Sequence, residues 1–429
     1  MTTDGTDVRR AKLRRAVVAS AVGTAVEWYD FFLYGLAAAL VFPKTFFPES
    51  DPYTGTLLSF STYFVGFASR PIGAALFGHL GDRVGRKASL IATLVLMGIA
   101  TMAIGLVPGY DSIGIGGAVL LTLARAVQGI AVGGEWGGSV LIAAEWSRQG
   151  GRGLAASWPQ WGAPAGLLLA NGALFLATRA SGDDFLVWGW RAPFIASALL
   201  VAVGFWIRIG IEEPPAFEKM RAEGRSVRSP VAHVLRHHWR EVLLTTLVRT
   251  GQQAPFYIFS VFVLSYATGT LELSRDDVLP LVLVAAAVSM VTIPLAGHLS
   301  DRIGRRRVVA IGCILMLVWP FVYFELLATG AALAMGAAII LSGPIHDLQY
   351  GPQAALIAES FPAHVRYSGS SLGYQLASVT AGGPAPIVAT WLMHEFHSPR
   401  AIAVYMSACA AVSLIALALL RPAHGGDDD

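Results

Sequence analysis

Charge is what this chain has least of. Asp, Glu, Lys and Arg make up 14% of its 429 residues, against 55% hydrophobic ones, where soluble domains carry about 25% charge. That balance excludes an ordinary water-soluble globule, since no single core needs so much apolar sequence. A bilayer does need it, at about 20 apolar residues for each crossing of a ~30 Å hydrocarbon core. Cysteine is nearly missing too. Cys313 and Cys409 stand singly in apolar runs, which reads as small packing residues rather than a disulfide framework. No Gly-Lys-Ser/Thr phosphate loop, nucleophile constellation or metal-ligand cluster occurs, so an enzyme, an ATP-driven machine and a bound cofactor or metal are not expected.

What is present is a repeat. Gly78-His79-Leu80-Gly81-Asp82-Arg83-Val84-Gly85-Arg86-Lys87 returns 219 residues further on as Gly297-His298-Leu299-Ser300-Asp301-Arg302-Ile303-Gly304-Arg305-Arg306, with seven of the ten positions identical. Glu145 with Arg152 likewise returns as Glu359 with Arg366, both 214 residues on. Two repeats in near register imply two copies of one structural unit. Each decapeptide lies between apolar runs and reads as a tight basic turn joining two helices.

Twelve apolar segments follow, at 16–42, 54–79, 88–107, 113–144, 153–177, 188–210, 241–268, 276–299, 307–327, 331–359, 366–392 and 399–420. The expected fold is an all-α membrane protein of twelve transmembrane helices in two pseudo-symmetric six-helix bundles. Its parts are a tail (1–15), an N-terminal bundle (16–210), a polar linker (211–240), a C-terminal bundle (241–420) and a second tail (421–429). The first apolar run carries Glu27 and Asp30 and outlasts a signal-peptide core, so it reads as an uncleaved first helix. With both termini in the cytoplasm, roughly 22 Lys and Arg fall in cytoplasmic segments and about 5 outside, which sets the orientation. Segments four and ten are long and are expected to be tilted, extended or broken, the tenth at Gly343-Pro344 and Gly351-Pro352.

An ion at mid-membrane costs at least ~2.5–3.5 kcal/mol, so each intramembrane ionisable residue marks a partner or a water-filled path. Glu27 and Asp30 share one face of helix 1, about 16–21 Å from its cytoplasmic end. Arg125, Gln128, Val132 and Glu135 form one ridge of helix 4, beside a small-residue groove of Gly129, Gly133 and Gly137 that allows close helix contact. Arg249, Gln252, Gln253, Phe256, Tyr257 and Ser260 make a polar face on helix 7. Ser342, His346, Gln349, Tyr350 and Gln353 make another on helix 10, with Asp347 beside it. Polar faces on helices 1, 4, 7 and 10 predict one central cavity. Desolvation raises a carboxylate pKa and a nearby arginine lowers it, so Glu27, Asp30 and Glu135 are proton candidates, modulated by Arg125. Arg125 and Arg249 suit a carboxylate substrate, because a guanidinium binds one through two parallel hydrogen bonds. Asp347 lies at a similar depth to Arg249 and is expected to neutralise it. Gln128, Gln252, Gln253, Tyr257, His346, Tyr350, Gln353 and Tyr374 complete the candidate substrate site.

These residues resemble a known family. The basic turn and its copy are similar to the loop signature of the major facilitator superfamily, and Arg125-Ala126-Val127-Gln128-Gly129 to its helix-4 signature. Glu27-Trp28-Tyr29-Asp30-Phe31, Arg70-Pro71-Ile72-Gly73, Gly133 to Gly138, Tyr350-Gly351-Pro352-Gln353 and Val365 to Gly369, followed by Leu372-Gly373-Tyr374-Gln375, resemble its metabolite–proton symporter branch. The resemblance implies a bacterial inner-membrane carrier that alternates access between two sides and couples import to protons. It implies a gating role for Asp82, Arg83 and Arg86, for Asp301, Arg302 and Arg305, and for Glu145, Arg152, Glu359 and Arg366. Expected partners are a small organic acid, protons and the lipid bilayer; nucleic acid and a partner protein are not expected. A carrier of zwitterions such as proline or betaine is the alternative in the same class, and a non-transporting membrane receptor the alternative in another. Gly162-Ala163-Pro164-Ala165-Gly166 hints at an antiporter signature, which leaves exchange open.

Overall fold

The structure is a computed structural model and describes residues 3–147, 149–210, 213, 218 and 230–421. Twelve long helical units carry the chain back and forth: α1 Thr3–Leu40, α2 in two pieces (Pro52–Ala68 and Arg70–Arg83), α3 Arg86–Leu106, α4 Gly116–Trp146, α5 Arg152–Ser181 and α6 Arg191–Ile209. The second set is α7 (Trp239–Tyr257, a wide π turn Ile258–Phe262, then Val263–Gly269), α8 Arg275–Ile303, α9 Arg305–Ala328 and α10 Ala332–Ala358. It closes with α11 (Arg366–Ala377, a π turn Ser378–Gly382, then Ala385–Phe396) and α12 Pro399–Leu419. The expected N-terminal tail is helical from Thr3 onward and continuous with α1. Most of the expected linker and all but Arg421 of the C-terminal tail lie outside the described residues, though a short helix, Pro230–His237, precedes α7. Both cysteines are free and buried.

Among the described residues, nine helices are long and apolar enough to cross a membrane. The spans that fall short are α2, interrupted before Arg70, and α7 and α10, which carry the polar faces. Polarity spent on a site is taken from hydropathy. The expected break in α10 does not occur: Pro344 and Pro352 both sit inside one unbroken helix. The irregular backbone is instead in α7 and α11, where a π turn follows Pro255 and another precedes Pro384. Proline cannot donate its ladder bond, and a widened turn absorbs the resulting change of register.

The small-residue groove of α4 packs as its spacing predicts. A Cβ on Gly129 or Gly133 would run into the α2 backbone at Gly66 or Arg70, whereas Gly137 faces Ser371 of α11. The repeated turns owe their conserved glycine spacing to backbone geometry: Gly85 and Gly304 have φ of 141° and 97°, a region L side chains disfavour.

At this basic end the two halves are tied by a reciprocal pair of caps. Asp82, at the end of α2, accepts from the backbone N–H groups of Tyr367 and Ser368 (3.3 and 2.9 Å) and from the Ser368 hydroxyl (2.7 Å), at the start of α11. Asp301, at the end of α8, accepts from the N–H groups of Gly153 and Leu154 (2.8 and 2.9 Å), at the start of α5. A carboxylate there satisfies orphan donors and meets the positive end of the helix dipole. Arg86 is 3.0 Å from Asp82 and 3.5 Å from Glu145; Arg305 is 3.5 Å from Asp301 and 2.8 Å from Glu359. Arg366 reaches Glu145 at 3.9 Å, and Arg152 and Glu359 share a small interface pocket with them. Arg83 and Arg302 are exposed and stand outside this network. Close helix approach accompanies the caps: a Cβ on Gly78 would lie 3.0 Å from Ser368 Cα, and one on Gly297 would lie 2.8 Å from the Gly153 carbonyl oxygen.

Asp82→Asn replaces one accepting oxygen by an amide that opposes the α11 donors. Hydrogen bonds to a charged group contribute ~1.5–3 kcal/mol, so the closed end should open about tenfold or more as often. A cysteine placed at buried Ser371 should then react correspondingly faster with a maleimide, and unchanged labelling would show that the cap does not hold this end shut.

Candidate functional site

Inside the first six helices, the buried charges are arranged in two groups. Glu135 of α4 faces Arg208 of α6 in a two-pronged ion pair, one prong being Arg208 Nη1 to Glu135 Oε2 at 3.0 Å. Thr93 and Ser139 donate to the same carboxylate at 2.8 and 3.1 Å. This candidate proton carrier is thus fully occupied. Asp30 turns toward α3, accepting from Thr101 Oγ1 at 2.8 Å; Gln128 donates to Thr101 at 2.7 Å and accepts in turn from Arg125. The Arg125 guanidinium lies over Tyr34, Tyr63 and Phe31, 4.3, 4.9 and 5.3 Å from the ring centroids. Such faces attract a cation by their quadrupole. Glu27 does not join Asp30, although the two are one turn apart. It is buried, makes no hydrogen bond or ion pair among the described residues, and has one oxygen wholly enclosed.

The second six helices hold a different arrangement. Arg249 does not meet Asp347. It donates to the Tyr374 carbonyl (2.6 Å) and to Ser378 Oγ (3.0 Å) on α11, with its guanidinium carbon 3.1 Å from the Tyr374 ring centroid. Trp136 of α4 stacks on the same ring at 3.6 Å. Two groups that close cannot share a face, so guanidinium, phenol and indole form a three-layer sandwich across the interface between halves. Trp136 Nε1 donates to Gln160 of α5 (2.7 Å), and Gln160 donates to the Tyr350 carbonyl of α10 (3.3 Å). Asp347 is engaged by Thr292 of α8 and by His346, and His346 by Gln252 of α7. Gln253 packs on the other side, against Gly382 of α11, so the polar face of α7 serves two neighbours. Gln353 is buried with neither end of its amide bonded.

Between these groups lies the centre. Among the described residues Arg70 has no carboxylate in ion-pair contact; Phe31 and Phe67 cover it at 4.8 and 4.7 Å. Glu27 is within electrostatic reach of Arg70, Arg249, Glu135 and Arg208, and Arg70 is within reach of both Arg125 and Arg249. The Tyr257 hydroxyl is buried with no partner among the described residues, and the buried hydroxyls of Tyr350 and Tyr374 pair with each other. One or two turns farther from the basic end, Phe67 and Phe31 meet Tyr257 at 5.5 and 6.1 Å, and Trp28 meets Phe256 at 5.7 Å. The centre is therefore enclosed between the aspartate caps and an aromatic layer.

Sequence reasoning missed Arg208, Thr101, Gln160 and Trp136. Arg208 sits at a helix end, where an arginine reads as a topological charge, and the other three look like packing residues. Arg70 was legible only within the Arg70-Pro71-Ile72-Gly73 motif of the family resemblance, not as a member of the centre. Removing one partner of a buried ion pair costs about 3–5 kcal/mol, because the other charge is left stranded. Arg208→Leu should accordingly lower the melting temperature in detergent by many degrees, and Arg208→Leu with Glu135→Leu should recover most of it. Equal melting of the single and double variants would show that the pair is not the cause.

The sequence profile of the Major Facilitator Superfamily matches residues 20–385 and 282–427. An inner membrane metabolite transport protein of Escherichia coli (strain K12) is 42% identical over 411 residues, covering 94% of this chain and 93% of that one. A shikimate transporter of the same organism is 39% identical over 96% and 95% of the two chains, and its proline/betaine transporter 34% identical over 96% and 84%. The backbone is similar to that of a solved proton:xylose symporter bound to 6-bromo-6-deoxy-D-glucose, with TM-score 0.80, 17% identity and coverage of 96% and 97%. This chain belongs to the Major Facilitator Superfamily, and it is a multi-pass membrane transporter rather than an enzyme.

Proposed function

We propose that this transporter imports a small organic acid together with protons, by alternating access across a bacterial inner membrane with both termini in the cytoplasm. The observation that carries the reading is the cluster of Arg70, Arg125 and Arg249, three buried guanidiniums in mutual reach of Arg70 and, among the described residues, with no carboxylate in ion-pair contact. Enclosed cations repel one another, and only an anion relieves that cost without dismantling the site. An organic carboxylate fits, with the free hydroxyl of Tyr257 and the paired hydroxyls of Tyr350 and Tyr374 as further donors and Gln252, Gln253 and Gln353 as polar lining. Glu27, unbonded and facing two of those arginines, is the carboxylate best placed to hold a proton while the anion is bound. Asp30, joined to Arg125 through Thr101 and Gln128, is the second. Glu135 serves as counter-charge to Arg208. The Asp82 and Asp301 caps, with Arg86, Arg305 and the Glu145, Arg152, Glu359 and Arg366 network, form the cytoplasmic gate in this reading.

A zwitterionic substrate is the second reading. Trp28, Phe31, Phe32 and Phe256 form a continuous aromatic cluster beside Glu27, a surface that suits a quaternary ammonium. Relatives named for shikimate and for proline and betaine accord with either.

Proteoliposomes should accumulate a radiolabelled acid from a panel containing shikimate when the outside is made acidic, and should lose that accumulation when a protonophore collapses the gradient. Accumulation of betaine instead would favour the second reading, and accumulation of neither would refute both. Arg249→Lys removes the planar fork and its stacking face. It should weaken acid binding about tenfold, read as a loss of acid-induced thermal stabilisation; undiminished stabilisation would remove Arg249 from the site.

A further inference from the structure

Apart from the arginine cluster, a crevice opens between α5, α7, α8 and α10, with Phe32 of α1 at its edge. Its wall is apolar except for Ser260, Ser289, Ser342, His346, Asp347 and Tyr350. The imidazole of His346 is held there from both sides. Nδ1 lies 2.9 Å from Asp347 Oδ1, and the other Asp347 oxygen accepts from Thr292. Nε2 lies 2.6 Å from the Gln252 side-chain nitrogen, while Gln252 Oε1 is buried with no partner. An amide nitrogen can only donate, so Nε2 presents its lone pair and Nδ1 carries the hydrogen that Asp347 accepts. This is the neutral ring in one fixed tautomer, with an idle acceptor waiting one bond rotation away.

We infer that His346 Nε2 is a proton-binding site of the carrier on its second six-helix half, additional to the carboxylates of the first, and that Gln252 positions it and reports its occupancy. The inference rests on the proton-coupled reading above. Hydronium in the crevice gives its proton to the Nε2 lone pair and leaves as water. The new N–H bond displaces the Gln252 donation, since two donors now oppose each other. The amide turns over, Oε1 accepts from Nε2–H, and the imidazolium is balanced by Asp347. Loss of the proton reverses each step. The bond tying α7 to α10 thus differs between the loaded and empty states, and Gln252 stands three residues from Arg249 on α7.

The groups facing His346 from each packed element are few. α10 supplies Asp347 and Tyr350, and α7 supplies Gln252 and Phe256, with Arg249 turned away to the Tyr374 carbonyl. α8 contributes Thr292 and Ser289; on α9, Cys313 is bonded to Gln349 and Tyr323 packs on Phe259 of the crevice wall. α5 adds only Ala163, Pro164 and Leu167 to the crevice wall, its arginines lying toward its ends. Tyr374 of α11 is hydrogen-bonded to Tyr350, and Arg249 of α7 and Glu27 of α1 are within electrostatic reach of it.

The test is nitrogen-15 NMR of the full chain in lipid nanodiscs with labelled histidine. The resonance absent from His346→Gln should move from the Nδ1–H tautomer to imidazolium between pH 8 and pH 5. Gln252→Leu, which removes the Nε2 partner of both the empty and the loaded state, should displace that transition. If His346→Gln does not fold, Asp347→Asn identifies the same resonance by displacing it. The pH profile of gradient-driven shikimate or betaine uptake should also flatten in His346→Gln, whatever its height. A resonance fixed in one state across this range overturns the inference, as does a His346→Gln uptake profile of unchanged shape. Failure of the parent to use the gradient at all would fail the broader reading, and the NMR titration would still decide the proton site.

Discussion

Burying an ion in a medium of low dielectric forces a choice of compensation, and the interior of this protein is the record of those choices. Glu135 is answered by an opposite charge, Asp30 by a hydroxyl and a relay of amides, and Arg125 by aromatic faces. Arg249 is answered by a carbonyl dipole and a stacked phenol. Among the described residues, Glu27 has reach but no bond, and Arg70 has aromatic faces but no carboxylate in ion-pair contact. A carboxylate and a guanidinium with no ion-pair partner at the centre are where a charged ligand can gain most, because its own charge completes what the fold leaves open.

The two halves use one device twice at their basic end and diverge at the middle. Asp82 and Asp301 each cap a helix of the opposite half, so a duplicated sequence yields a duplicated clasp. The central groups have no such symmetry. Ion pairs and aromatic-caged arginine fill the first half, whereas the second contains an imidazole, amides and tyrosines. Duplication set the frame, and divergence divided the labour between its copies.

That division also explains what the chain reveals on reading. The twelve helices and the paired turns are legible because apolar run length and a repeated decapeptide are local signals, and the left-handed Gly85 and Gly304 give the repeat its physical reason. The candidate arginines are legible because charge is scarce in apolar sequence. Partnerships are not legible. Arg208 meets Glu135 across 73 residues of chain, Trp136 meets Tyr374 across the interface, and Glu27 parts from Asp30 despite sharing a helix face; each depends on how helices rotate about their axes. The proline-based expectation of a broken α10 failed for a related reason: neighbouring helices can hold a proline-bearing helix together, and the register shifts appeared in α7 and α11.

The glycines that face each other at the closed end have one more effect. At Gly78 against Ser368 and Gly297 against Gly153, main chain lies close to main chain with only short serine side chains beside it. A seam of interlocked leucines must unpick many rotamers before it can part, whereas a smooth one separates as plates do, once its few polar catches release. Opening speed is then governed by those catches alone, and a single bulky side chain grafted onto the seam would act as a wedge or a brake without touching the cargo.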